Sequence, residues 1–429
     1  MKRLKVLISA YACSPYQGSE PGMGWGWVKA LAEYHDLWVI TETGESKADV
    51  EKELEAKPEI RKRIRFFYIA RRHHRALAKV WPLSYYSFYK KWQKKAYRLA
   101  RSLHEKIRFD LVHQLNMIGY REPGYLWKLD APFVWGPVGG TANVPLRFAS
   151  VMGVKESLYH LARNTINAYQ LTHNRRVRTA LARADGFVTA TLGTRESFLR
   201  ASGKDSVVIS ATGIKVNPNH FDRSGKYAPG RPLNLVYAGL HFSRKALPIA
   251  LRALAILPPK CLWHLDILGK GPMTKSWRRL ANKLGIEANC TWHGWLPKHD
   301  DVVDIASKAD VFVFPSLQEG TPTVVLEALS RGLPVICFDR CGMGDVVNED
   351  CGVKIPVTAS KQAIYGFAEA IKRLTKNPDE VERLSLGAVK CARQYSWHTR
   401  VQEMLKVYPK AIEHWQKKRG CCVDVLEEI

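Results

Sequence analysis

The sequence predicts an α/β protein built from two doubly wound domains, each a parallel sheet covered by helices. Three observations lead there. Short runs apolar on both faces alternate with helical-period stretches along the chain. That rhythm pauses once, over residues 215–234, and then restarts. At 429 residues the chain also exceeds what one ordinary core accommodates.

In the first half the expected strands are "KVLISAYA", "LWVITE", "IRFFYIA", "DLVHQL", "FVWGPVG", "GFVTAT" and "VVISATG". Amphipathic stretches such as "WGWVKALAEYH" and "KKAYRLARSLHEKI" lie between them. The pause, "KVNPNHFDRSGKYAPGRPLN", is rich in Pro, Gly, Asn and charge and reads as a linker. After it come "LNLVYAG", "WHLDILG", "CTWHGWL", "VFVFPS", "PVICFD" and "GVKIP". The expected domains are 1–222 and 223–399, with a cleft between them. The closing helical stretch, residues 400–429, is interrupted at Pro409 and bends back onto the first domain.

Composition narrows the function classes. The content is 46% hydrophobic and 25% charged, as in a globular protein with sizeable cores. A net charge of +26 implies a polyanionic partner: anionic lipid, nucleic acid or a phosphorylated substrate. Nine cysteines show no C-x-x-C pair, which favours a reducing compartment over a disulfide framework. The first apolar run is short and continues into a glycine-rich loop, so it reads as a strand, not a leader. No apolar run reaches membrane-spanning length, and the expected location is the cytoplasm.

The most informative stretch is "FPSLQEGTPTVVLEALSRGLPVI", residues 314–336. A strand candidate precedes it. "PTVVLEALSRG" then has helix signals, with Thr321 as N-cap, Pro322 at the first helical position and Gly332 just past the end. Glu319 therefore lies in the loop at the carboxyl end of a parallel strand, and Glu327 lies in the helix. Ligands of open α/β sheets bind at that edge. A carboxylate can accept hydrogen bonds from the vicinal hydroxyls of a ribose or a sugar, while the amides of residues 321–324 favour phosphate. From the residues alone, Glu327 is equally a solvated helix residue and Glu319 an ordinary loop acid.

E-G-T-P-T-V-V-L-E-A, together with "ADVFVFPSLQEG" and "GLPVICFD", resembles the E-x7-E signature of retaining family 4 glycosyltransferases of the GT-B fold. The resemblance implies that Glu319 contacts a donor sugar and Glu327 the ribose of its nucleotide. Donor contacts would extend to Gly320, Thr321 and Thr323. "LVYAGLHFSRKALPIALRAL" is similar to the family's phosphate segment, G-R-L-x-x-x-K-G. Gly239 and Lys245 match it. Leu240 replaces its arginine and Ala246 its last glycine, and Arg244 stands in for the missing charge. A departing nucleoside diphosphate gains negative charge that fixed cations stabilise. "DILGKGP" matches the family's glycine turn near the nucleotide with Gly269 and Gly271.

In the first domain the resemblance puts a donor-closing loop at Gly18, Gly22 and Gly24, between the first strand and first helix. It also puts His113 at the family's D-x-x-H-x-H, where Leu115 replaces the second histidine and Gln114 or Asn116 would supply a hydrogen bond. A lone strand-end histidine is also a common interior residue. Gly139 and Gly140 of "VWGPVGG" are expected to face the cleft. The chain has no D-x-D pair, so neither a metal nor a cofactor is expected.

Residues 60–104 hold fourteen Lys and Arg and no acid, with Trp81, Tyr85, Tyr86, Phe88, Tyr89 and Trp92 interleaved. Rings at the water–lipid boundary beside cations suit an anionic membrane surface, which would present a lipid-linked acceptor. A solvated basic face over core aromatics is the plainer alternative. Nucleic acid is the least favoured partner, since no recognised module accompanies the charge. The expected activity is transfer of a sugar from a nucleotide-sugar to a sugar or lipid-linked acceptor hydroxyl, in surface polysaccharide or lipid-linked glycan synthesis. A nucleotide-sugar epimerase of GT-B-like fold and a basic nucleic-acid-binding protein are the rival classes.

Overall fold

A computed structural model describes residues 2–70, 84–216, 227, 230–297 and 299–420. The chain divides into two compact units, one of residues 1–141, 168–213 and 397–429, the other of residues 142–167 and 214–396.

The first unit carries β1 (Lys5–Ala10), β2 (Asp36–Glu42), β3 (Ile64–Ile69), β4 (Leu111–Asn116), β5 (Phe133–Val138), β6 (Gly186–Thr189) and β7 (Val207–Val208). They form one sheet in the order β3-β2-β1-β4-β5-β6-β7. All its pairings are parallel. The second unit carries β8 (Leu233–Ala238), β9 (Trp263–Leu268), β10 (Cys290–Gly294), β11 (Val311–Phe314), β12 (Val335–Phe338) and β13 (Gly352–Ile355). Its sheet is also all parallel, in the order β10-β9-β8-β11-β12-β13. Both are doubly wound: β1 and β8 lie inside their sheets and later strands add on either side. Each of the thirteen apolar runs overlaps one of these strands. The two Rossmann-like domains are those from which the GT-B class is made.

Seven helices matter below: α1 (Ser19–Ala32), α2 (Ser84–Ile107), α3 (Val154–His173), α4 (Leu247–Ala255), α5 (Thr274–Lys283), α6 (Thr323–Ser330) and α7 (Trp397–Lys418).

The observed division corrects the single break expected after residue 222. Residues 142–167 belong to the second unit because Val144, Phe148 and Met152 are buried in its core, with the Phe148 ring edge-on to Phe338. The chain re-enters that unit at Ile214, and most of the expected linker, 217–226 and 228–229, lies outside the described residues. At the other end α7 is one continuous helix through Pro409, not an interrupted one. Its buried face explains why. Val401, Met404, Leu405, Tyr408 and Ala411 join the core of the first unit beside Trp27, Val28 and Leu31 of α1, outweighing the hydrogen bond that proline removes.

Two further expectations change. The aromatic residues of the basic segment do not line a surface together. Tyr89 and Trp92 of α2 are buried and pack edge-on against Tyr11, with centroids 4.8 and 4.9 Å away. The outward face of α2 carries Lys91, Lys94, Lys95, Arg98 and Arg101 instead, while Trp81 falls outside the described residues. A helix over a sheet must turn its apolar stripe inward, so Tyr89 and Trp92 went to the core while Tyr86 stays exposed.

The glycine run after β1 is not a loop either. Gly22 and Gly24 lie within α1, and only Gly18 precedes it. A Cβ on Gly24 would stand 2.1 Å from the Ala12 carbonyl oxygen and 2.9 Å from the Asn116 amide nitrogen. One on Gly22 would stand 2.4 Å from the Gln17 carbonyl oxygen. The bare helix backbone is what allows residues 12–17 to pack against α1. Gly24→Ala should therefore destabilise the protein by about 1–3 kcal/mol, read as a lowered urea midpoint. An unchanged midpoint would contradict the close approach.

Candidate functional site

The second unit brings the expected donor residues to the carboxyl edge of its sheet. β8 ends at Ala238, β9 at Leu268, β11 at Phe314 and β12 at Phe338, so four loops leave the same edge. After β8 the chain makes a short helical turn over Ser243–Lys245 and enters α4 through Ala246, whose φ is +46°. That left-handed conformation is one that glycine adopts without strain, which accounts for the glycine of the resembling motif.

Lys245 is almost wholly buried, and its Nζ lies 2.5 Å from Glu319 Oε1 and 4.9 Å from the Phe314 ring centroid. Burial pushes its ammonium below the usual lysine range, and Glu319 opposes that shift. Arg244, about a third exposed, donates to the Gln318 carbonyl at 2.8 Å and lies 3.4 Å from the same Oε1. Ser316, fully buried, donates to it at 2.6 Å. All three contacts fall on Oε1. Among the described residues, no hydrogen bond or ion pair is made to Oε2 of Glu319.

The loop that carries Glu319 is fixed from several sides. Leu317 N–H donates to the Arg244 carbonyl at 2.8 Å. Arg340, after β12, donates from Nε to the Leu317 carbonyl at 2.9 Å and also reaches the Asn143 carbonyl. Gln318 donates to the Ala142 carbonyl at 2.5 Å. Ser316 and Arg340 were not foreseen. An arginine two residues past a strand end was the available signal for the second, but its partners are carbonyls no motif names.

Helix α6 begins one residue later than its sequence signals imply. Pro322 is the N-cap and Thr323 the first helical residue, while Gly332 does follow the end in a left-handed turn. Proline's φ of −76° suits the cap, and its ψ of 102° is extended, so the helix starts only beyond it. Gly320 and Thr321 precede the cap, and Glu327 sits half-buried in the second turn.

The two glycine turns meet backbone to backbone. A Cβ on Gly269 would stand 2.0 Å from the Gly239 carbonyl oxygen, and one on Gly271 would stand 2.7 Å from that of His241. Gly239 N–H donates to Leu268 at 3.1 Å and His241 N–H to Lys270 at 3.2 Å, zipping the turns together. His241, also unforeseen, is buried against Trp277 and hydrogen-bonded to Thr274 of α5. Burial lowers its pKa to about 4.

In the first unit the expected catalytic histidine is an interior one. His113 is fully buried, with Nδ1 2.8 Å from the Tyr408 hydroxyl and Nε2 2.6 Å from the Gly136 carbonyl. Both ring nitrogens are occupied, and burial holds its pKa near 4. Asn116 and Gln114 do not replace it. Asn116 donates to the Ala12 carbonyl at 2.7 Å, and Gln114 donates to the Asn116 carbonyl at 3.2 Å. Gly139 N–H donates to the Ile118 carbonyl at 2.7 Å, beside the same strand ends.

The group that does stand out there is Glu20, at the start of α1. Its Oε1 accepts from Ile118 N–H at 3.3 Å, and its Oε2 is enclosed without a partner. Burial raises its pKa to about 7. An acid inside a glycine-rich run after a first strand was the sequence signal, overshadowed by the glycines themselves.

Comparison with known proteins separates the two units. Residues 220–390 match the family model "Glycosyl transferases group 1". Gly239, Arg244, Lys245, Gly269, Gly271 and the whole Glu319-to-Glu327 stretch fall inside this glycosyltransferase match, whereas Gly18, Glu20 and His113 fall outside it. Lipopolysaccharide glucosyltransferase WaaG of Escherichia coli K12 is 30% identical over 166 residues, 38% of this chain and 41% of that protein. The chain spans about half the length, or less, of the first curated relatives it matches. The solved lipopolysaccharide outer core galactosyltransferase WaaB, apo form, superposes with a TM-score of 0.64 at 16% identity. The superposition covers 94% of this chain and 99% of that one. Anabaena HepE in complex with UDP and glucose gives 0.58 at 16% identity, covering 94% and 99%. These structures share the fold.

Glu20 has a pH signature. Its folded pKa lies above its ordinary value of 4.5, so the folded state holds the proton more tightly. The associated stability is present in full below about pH 4.5 and is lost as pH rises through about 7, a change on the order of 3 kcal/mol. Glu20→Gln should flatten the decline in melting temperature across that window. Parallel profiles for the two proteins would remove Glu20 as its source.

Proposed function

We propose that this protein is a retaining glycosyltransferase that moves a sugar from a nucleotide-sugar to an acceptor hydroxyl, in the synthesis of a surface polysaccharide or lipid-linked glycan. The carrying observation is the Lys245–Glu319–Arg244 cluster, at a strand edge inside the matched region, with no hydrogen bond or ion pair to the second Glu319 oxygen among the described residues. The complexes of the Anabaena structural relative contain UDP and glucose, which supports a nucleotide-sugar donor.

The chemistry follows from the charges. Lys245 and Arg244 face the diphosphate, whose negative charge grows as the glycosidic bond breaks, and they stabilise it without reorganising. Desolvation works against the Lys245 ammonium, and an arriving diphosphate offsets that penalty, so binding keeps the lysine protonated. Glu319 uses Oε1 to hold the cations and offers Oε2 to a donor-sugar hydroxyl. The Glu327 carboxylate takes the ribose hydroxyls, while Gly320, Thr321 and Thr323 at the start of α6 receive phosphate oxygens. Gly239, Gly269 and Gly271 let the backbone approach the nucleotide. The incoming hydroxyl is deprotonated on the same face by the departing diphosphate, which retains configuration with no divalent metal and no covalent nucleophile. Lys91, Lys94, Lys95 and Arg98 on the outward face of α2 attract the anionic leaflet that carries the acceptor, making the enzyme peripheral on the inner membrane face.

UDP-, GDP- and ADP-sugars should separate in a thermal-shift panel, one class raising the melting temperature. Glu327→Ala should weaken that ligand about ten- to a hundredfold, the effect of losing a hydrogen bond to a charged group. Equal affinity would count against the ribose role, and donor turnover without an acceptor would mark an epimerase instead. Lys245→Ala should lower kcat on the order of 10²–10³-fold with the fold retained by circular dichroism. A wild-type rate would remove it from the reaction.

A further inference from the structure

The last strand of the second sheet begins beside two thiols that sugar transfer does not use. Cys351 is the residue before β13, and Cys391 lies in the helix Pro378–Gln394. The two backbones touch here. A Cβ on Gly387 would run into the Asp350 carbonyl oxygen, so this helix lies directly on the chain leading into Cys351. One helical turn further on, on the same face, comes Cys391. Its thiol donates to the Val346 carbonyl at 3.1 Å, and the Cys351 sulfur accepts from Asn348 N–H at 3.3 Å. Both sulfurs therefore serve one short loop, and their side chains also hydrogen-bond to each other.

That mutual bond changes the chemistry of the pair. Cys391 donates to Cys351 and holds its thiol below the usual range, while the same bond, together with burial, pushes Cys391 up. Groups coupled in this way lose their first proton as a unit, with the second held between two sulfurs. Burial instead pushes the thiols of Cys13 and Cys337 far above the usual range. Access comes through Cys391. Cys351 is fully buried, but Cys391 forms part of the wall of a cavity of about 450 Å³ with Asn348, Arg383, Leu386, Lys390 and Gln394. That space admits a small oxidant, and two cations on its wall favour a thiolate.

We propose that Cys351 and Cys391 are a redox clasp, closed by a peroxide into a reversible disulfide that ties the entry of β13 to the helix Pro378–Gln394 and stabilises the protein. The Cys391 thiolate attacks one peroxide oxygen and the O–O bond breaks. With hydrogen peroxide this leaves a sulfenic acid on Cys391 and a hydroxide, which takes up a proton. The Cys351 thiolate then attacks the Cys391 sulfur, the S–O bond breaks, and a second hydroxide takes up the other proton. Two thiols and one hydrogen peroxide give one disulfide and two waters. The bond closes a loop of about 40 residues and so restricts the unfolded chain. Two thiols of a reductant reopen it. The clasp does not depend on the sugar-transfer reading, and its test needs no donor or acceptor.

The full chain, reduced and then freed of reductant, is treated with hydrogen peroxide and mapped by mass spectrometry under non-reducing conditions. A linked Cys351–Cys391 peptide pair should form at least about tenfold faster than Cys13 or Cys337 oxidises, and dithiothreitol should reverse it. The linked protein should melt about 5 °C higher, a rise that Cys351→Ser and Cys391→Ser should each abolish. Serine is close to cysteine in size, and at position 391 its hydroxyl can still donate to Val346. Both reduced variants should therefore keep the wild-type circular dichroism spectrum, and either one suffices if the other folds poorly. Linkage of Cys351 to Cys337 would overturn the proposal, as would oxidation of both thiols without a bond between them. So would a pair that stays reduced while Cys13 oxidises, or a linked protein that melts no higher.

Discussion

An ammonium group enclosed in protein has to be met by a carboxylate, and the second unit is organised around that demand. Leaving the Lys245 charge unmatched would cost several kcal/mol, even after the surroundings relax. The partner comes from Glu319, far along the chain, yet the two loops are neighbours because β8 and β11 pair in parallel and leave the sheet at one edge. Once the pair forms, the position of the Glu319 loop is no longer free. Ser316, the Arg244 carbonyl and Arg340 hold it from three sides. The acid is thus set before any ligand arrives, and preorganised groups contribute more to binding and to charge stabilisation than groups that must first be ordered.

The glycine turns extend this arrangement. Because Gly269 and Gly271 pack their backbones onto residues 239–241, the loops after β8 and β9 are held against each other. A side chain at either glycine would separate them and shift the start of the turn that carries Arg244 and Lys245. Ala246 adds a local cost, since a left-handed alanine is held only where neighbouring structure dictates it. The buried ion pair and the paired turns supply that dictate.

Which parts were legible in the sequence follows from this physics. Runs apolar on both faces suit strands of a covered parallel sheet, and all thirteen strands appear where the runs lie. Glu319 and Lys245 were legible because the motif residues and the residues that need one another are the same. What failed to show was polar wiring. His113 and Asn116 have the residue types of a reactive edge, but the His113 ring nitrogens and the Asn116 amide are used to tie β4 to Tyr408, Gly136 and Ala12, while Gln114 donates to the Asn116 carbonyl of its own strand. No spacing rule reveals that, because the partners are carbonyls and a hydroxyl from distant elements. Residues 142–167 escaped for a similar reason. Their allegiance to the second unit rests on Val144, Phe148 and Met152 entering a core whose next buried member along the chain is Tyr227.

Helices α2 and α3 make the same point about surfaces. Each carries cations and large apolar side chains, and composition alone would assign both to one class. In α2 the rings of Tyr89 and Trp92 complete a core and the lysines face outward, the ordinary outcome for a helix over a sheet. In α3 the inward positions hold Glu156, Asn164 and Asn167, which satisfy Ser243, Val144 and Asn143, and the apolar side chains are left outside. Satisfying buried polar groups is the stricter condition, because an unmatched one costs more than an exposed leucine. That ordering explains how a chain can keep large apolar side chains of one helix in water.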